Sequence, residues 1–203
     1  MRLYAAIILF MFFAISAHGQ QRQVAMLNTV DDERDGKKYK TVKLGSQMWM
    51  AENLNYNASG SKCYGNKPDN CAKYGRLYNW QTAQTVCPSG WHIPSDAEWS
   101  VLINYVGGGA TAGTKLKAKS GWNDYKGSSG NGTDDYGFSA LPGGLGPSDG
   151  RFSNVGNYGR WWSSSEYGNN NAYSRGMDYD LGYVSRFNSG SKTHLFSVRC
   201  LQD

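Results

Sequence analysis

The chain has 203 residues, a formal net charge of +5 and 18% charged residues. Its basic residues are scattered, and no Lys/Arg run of the kind that tracks phosphates occurs, so the sequence does not imply a nucleic-acid partner. Its length suits one domain with a real core.

Met1-Arg2 places one positive charge before the short apolar run Leu3–Ile15, and Ala17-His18-Gly19 follows with small residues. This pattern predicts a secretory signal peptide over 1–19, cleaved after Gly19. The run is shorter than the roughly 20 apolar residues of a membrane span. No Cys follows it to carry a lipid anchor, and no later segment is apolar enough to cross a bilayer. The expectation is an exported protein, in the periplasm, on the outer surface or secreted.

Residues 20–38 are polar and carry the cluster Asp31–Lys38, which reads as a flexible leader. A domain is expected over 39–203. Tyr39–Leu44 alternates as a strand should, Gly45-Ser46 turns the chain, and Gln47–Leu54 returns as the second arm of a hairpin. Asn79–Val86 is expected to be a short helix, stopped before Pro88. Ser95-Asp96-Ala97-Glu98 is a capping box. Behind it Trp99, Leu102, Ile103 and Val106 fall on one helix face, and Gly107-Gly108-Gly109 ends the helix.

Residues 107–160 are rich in Gly, Ser, Asn and Asp and have little periodicity. Their aromatics, Trp122, Tyr125, Tyr136 and Phe138, argue for order all the same. The C-terminal part reads as antiparallel strands: Trp161–Glu166, Ala172–Tyr179, Tyr183–Phe187, a turn at Asn188-Ser189-Gly190, and a last strand from His194 to Leu201. The fold class is α+β, with two short helices against a small, mostly antiparallel sheet and one long loop region.

Cys63, Cys71, Cys87 and Cys200 are even in number, which in an exported chain means two disulfides, and the residues alone allow three pairings. Their spacing is not that of a zinc site. In the loop region Trp122, Asp124 and Tyr125 are candidate ligand contacts, with Asp134 and Asp135 beside them as possible calcium oxygens, although no EF-hand spacing occurs. Trp161 and Trp162 adjoin on a strand and so face opposite ways, which leaves Trp162 as a further candidate for stacking on a sugar. Glu166 and Asp178 would serve glycoside hydrolysis only if the fold brought their carboxyls within roughly 5–10 Å, and acidic residues offer such pairs in any chain. His92 reads as a structural histidine.

Several phrases carry a resemblance: Trp49-Met50-Ala51-Glu52-Asn53-Leu54-Asn55-Tyr56, Tyr74-Gly75-Arg76-Leu77-Tyr78-Asn79-Trp80, Cys87-Pro88-Ser89-Gly90-Trp91-His92-Ile93-Pro94-Ser95, Asp135-Tyr136-Gly137-Phe138-Ser139-Ala140, Trp161-Trp162-Ser163-Ser164-Ser165-Glu166 and Ser197-Val198-Arg199-Cys200. In this order they resemble the Fibrobacter succinogenes major paralogous domain across residues 40–203. That resemblance implies a bacterial secreted or cell-surface protein and no agreed biochemical activity. More distantly, the arrangement is similar to the C-type lectin-like fold, which implies a Cys87–Cys200 bridge and leaves Cys63 for Cys71. Ile93–Trp99 is also similar to formylglycine-generating, sulfatase-modifying domains.

The calcium triplets of sugar-binding lectins, Glu-Pro-Asn and Gln-Pro-Asp, are absent, and Trp122-Asn123-Asp124 stands too early to replace them. No cofactor is expected, and a structural calcium has no motif. The function expected is a non-catalytic binding or adhesion module that recognises a glycan or surface protein through 107–160. On this expectation, deleting 121–136 removes binding and spares the fold. The alternatives are a structural envelope component with no small ligand and an oxidase that needs reactive thiols.

Overall fold

The computed structural model describes residues 28–147 and 150–203. The expected signal peptide and the first part of the leader, 20–27, lie outside the described residues. Strand β1 (Asn28–Asp32) pairs antiparallel with β2 (Lys37–Leu44), so the leader expected to run to residue 38 is already sheet from Asn28. Its charges are paired rather than dispersed. Arg34 grips both oxygens of the buried Asp32 at 2.7 Å, and Lys38 donates to Asp31 at 2.6 Å. The Arg34 side-chain hydrogen bond holds the Asp32 carboxyl below its ordinary value, against the effect of burial.

The expected hairpin forms: Gly45, at φ 63°, turns β2 into β3 (Gln47–Met50). β3 ends four residues early because Ala51–Leu54 peels away, and the Leu54 amide donates to Val198 O instead. β5 (Trp91–His92) and β10 (Leu201–Gln202) complete a first sheet in the order β1-β2-β3-β10-β5.

Helix α1 (Pro68–Tyr74) was not expected, because its few apolar residues hid it in a polar stretch. Its local signals are Pro68 in the first turn, Asp69 behind it and Gly75 just past the end. Helix α2 (Trp80–Ala83) is capped by Asn79 Oδ1, which accepts from the Thr82 amide at 2.9 Å. It is shorter than expected, since Thr85 N bonds Thr82 O and tightens the last turn. Helix α3 (Asp96–Tyr105) carries both halves of its capping box, Glu98 N to Ser95 Oγ at 3.2 Å and Ser95 N to Glu98 Oε2 at 2.7 Å. Trp99, Leu102 and Val106 are fully buried on its inner face. Helix α4 (Ala112–Leu116) lies within the region expected to be irregular.

The second sheet has the order β4-β9-β6-β7-β8, from β4 (Leu77–Tyr78), β6 (Tyr158–Tyr167), β7 (Asn171–Asp178), β8 (Ser185–Ser191) and β9 (Phe196–Ser197). Its pairings are antiparallel except β6 with β9. The turn expected at Asn188–Gly190 is instead part of β8, held by Gly190 opposite Ala172 and Ser191 opposite Asn171. The single last strand is two: β9 belongs to one sheet and β10 to the other, and Val198–Cys200 crosses between them.

Both disulfides form, Cys63–Cys71 and Cys87–Cys200, and no described cysteine is free. Trp161 and Trp162 do face opposite ways, and both are fully buried. Trp161 enters a core with Trp49, Trp99, Leu102 and Phe138, whereas Trp162 enters a second with Tyr78, Trp80, Phe196 and Val198. These indoles can be buried because their N–H groups are satisfied. Trp162 donates to Tyr78 O at 2.7 Å, Trp80 to Ser163 O at 2.8 Å and Trp161 to Asn53 Oδ1 at 2.8 Å.

Candidate functional site

The structure does not bring the six candidate contacts together. Trp162 has no exposed face, so it is core rather than a stacking surface. Trp122 is also buried, donating to Ala140 O at 3.0 Å beneath the Lys117 ammonium, 5.1 Å from the ring centroid. An indole in a loop of small residues supplies the apolar anchor that the loop otherwise lacks. Residues 121–136 are therefore not separable from the fold. Gly132, whose amide bonds Ala118 O, packs so closely that an added Cβ would stand 2.3 Å from Lys117 O. Deleting the segment would remove core.

Asp124 and Tyr125 stand at an exposed tip, where Tyr125 and Ser128 exchange backbone hydrogen bonds. The Tyr125 ring lies edge-on to Tyr179, with centroids 5.3 Å apart, and Lys126 sits over it. Asp134 accepts from the Ser139 amide at 2.8 Å and its hydroxyl at 2.6 Å, which is a turn-forming role. Asp135 is exposed. Among the described residues no group of three His, Cys, Asp or Glu is placed to hold a metal ion. Glu166 and Asp178 sit at opposite ends of the β6–β7 pairing, and Asp178 is taken by Arg160. They are no hydrolytic pair.

The most elaborate polar arrangement lies elsewhere and was not singled out in the sequence. Arg199 is completely buried with no carboxylate in ion-pair contact among the described residues. Its guanidinium donates to Asn53 Oδ1 at 2.9 and 3.2 Å, to Met50 O at 3.2 Å and to Phe138 O. The Phe138 ring lies 4.4 Å away. Asn53 also accepts from Trp161 and donates to Tyr74 O. Complete burial pulls the guanidinium down to about 9, partly offset by the charges of Asp134 and Glu52. Both Asn53 and Arg199 lie inside the phrases quoted above, which was the available signal.

Over this junction opens a groove of about 450 Å³. It is the wedge left where Ala51–Asn55 departs from β2, walled on the far side by the end of α1. Gly75, at φ 76°, lets α1 close on that segment, and a Cβ there would stand 2.8 Å from both Asn53 Cβ and Leu54 O. Lys38, Lys40 and Lys73 line the groove together with Glu52, Asn55 and Asp134.

His92 bridges the α3 cap and the C-terminal residue: Nε2 lies 3.0 Å from Glu98 Oε1 and Nδ1 lies 2.6 Å from Asp203 Oδ1. Burial opposes its charge, but the hydrogen bonds to Asp203 and Glu98 outweigh it and raise its pKa. The sign follows from linkage: this contact stabilises fully below the unfolded value of about 6.5 and is lost as pH rises through the higher folded value. His92→Gln is expected to flatten that decline in thermal melts run across neutral pH. An unchanged slope would place the linkage in another group.

The fold and the groove together define a disulfide-bonded α+β domain whose polar centre is built from structural side chains. Residues 42–202 match the Fibrobacter succinogenes major domain, and the chain belongs to that family. No curated protein and no solved structure matches it. The matched span includes the whole of the second sheet, Arg199 and β3, β5 and β10 of the first, and it leaves β1 and the first residues of β2 outside.

Proposed function

We propose that this protein is a non-catalytic binding module displayed outside the cytoplasm, on a scaffold of the C-type lectin-like kind. The Cys87–Cys200 bridge, which ties the segment after α2 to the crossing before β10, supports the scaffold assignment. Two formed disulfides and the N-terminal signal pattern support export. No helix among the described residues is long and apolar enough to cross a membrane. With all four cysteines bridged, no thiol is left for the oxidase alternative.

One observation carries the binding reading: the loop at 123–128 projects Asp124, Tyr125 and Lys126 beside Tyr179 from a segment pinned inward by Trp122. An exposed ring with neighbouring polar groups suits the mixed surface of a sugar or a folded partner. The test is retention on immobilised neutral and acidic polysaccharides, with Asp124→Ala/Tyr125→Ala as the variant. Saturable retention that the variant weakens about tenfold or more, with its melting unchanged, supports the reading. Retention unaffected by the variant rules out the tip as the binding site, and no retention on any support overturns the binding reading, with self-association then pointing to a structural envelope component.

A further inference from the structure

We propose that the groove beside β2 binds an acidic peptide segment in extended conformation. The segment would add to the sheet at Lys38 and place its carboxylates on Lys40 and Lys73. This site is separate from the 123–128 tip.

The argument begins with backbone direction. In an antiparallel strand, alternate residues turn their N–H and C=O to the same side. Lys40 turns both toward the groove, where its amide donates to Glu52 Oε2 at 2.8 Å and its carbonyl accepts from Ala51 N at 2.7 Å. Lys38, two residues earlier, has the same direction, but the departing chain has by then moved off toward Val198. Its N–H and C=O therefore face the groove with no partner among the described residues, which is the opening that strand addition requires.

The side chains set the chemistry. Lys40 and Lys73 make no ion pair among the described residues, whereas Lys37 and Lys38 are held at their tips by Asp35 and Asp31. The two acids of the groove are engaged with neutral donors, Glu52 with the Lys40 amide and Asp134 with Ser139, above the buried charge of Arg199. Asn55 adds a side-chain amide with no partner among the described residues. Both nearby rings, Tyr39 and Tyr74, are buried, so the groove has no aromatic face for a sugar and favours a peptide. Lys37–Lys40 also lie before residue 42, where the family match begins.

The test uses the full chain expressed to the periplasm and the peptide acetyl-Glu-Val-Glu-Val-Glu-Val-Glu-amide. Its controls are the Lys-for-Glu counterpart of that peptide and an oligogalacturonate of equal charge. Saturable binding of the acidic peptide is expected, weakened by salt and reduced about tenfold or more by Lys40→Glu/Lys73→Glu. Both substitutions are on exposed side chains, and thermal melting verifies that the variant is folded. Tyr125→Ala should leave peptide binding unchanged, which separates this site from the loop tip. The proposal is overturned by no binding, by equal affinity in the lysine variant, or by tighter binding of the oligogalacturonate, which would assign the groove to a glycan.

Discussion

Arg199→Lys is expected to destabilise the protein by about 3–5 kcal/mol, more than Arg199→Met, which should cost about 2–4 kcal/mol. The order is the informative part. The guanidinium fork reaches Asn53, Met50 and Phe138 at once, from a fully buried position. A lysine keeps the desolvated charge but cannot span those acceptors. Methionine strands the same carbonyls but leaves no charge in the core. Urea unfolding followed by tryptophan fluorescence measures both. If Arg199→Lys proves better tolerated than Arg199→Met, the site needs the charge more than the fork.

Removing the Cys87–Cys200 bridge, as Cys87→Ser/Cys200→Ser, should cost about 4–5 kcal/mol, against about 2–3 kcal/mol for Cys63→Ser/Cys71→Ser. The difference follows from loop closure, since the bridges span 113 and 8 residues of sequence. The long bridge also fixes the crossing segment that carries Arg199 between the two sheets. Denaturant midpoints of the two variants against the parent decide the matter. Equal losses would mean that local packing around the sulfurs, not chain entropy, sets their worth.

Features that depend on short-range chemistry were legible in the sequence. The capping box at Ser95 and Glu98, the glycine stop at Gly107 and the hairpin at Gly45 each need only a few adjacent residues. The family resemblance on the quoted phrases agrees with the match over 42–202. Segments that owe their order to distant partners were missed. β1 looked disordered because its charges neutralise one another only once paired with β2. α1 has too few apolar residues to show a helical period. Trp122 and Trp162 were misplaced for a related reason: an aromatic residue gives no local sign of which side will bury it. The Asn53–Arg199 junction joins residues 146 apart, so no periodicity could reveal it.

The adjacency of Trp161 and Trp162 has a consequence for how the molecule opens. Each anchors a different core, and a single peptide unit of β6 separates them. Loosening either core pulls on the strand that walls the other. The two cores are therefore expected to open together, as one cooperative unit, which hydrogen exchange of the β6 amides tests. The β6 amides at the two tryptophans should exchange with solvent only by global unfolding, and faster exchange at one of them would show that its core opens alone. On that expectation a protease would find no partly opened sheet between the intact molecule and the unfolded chain.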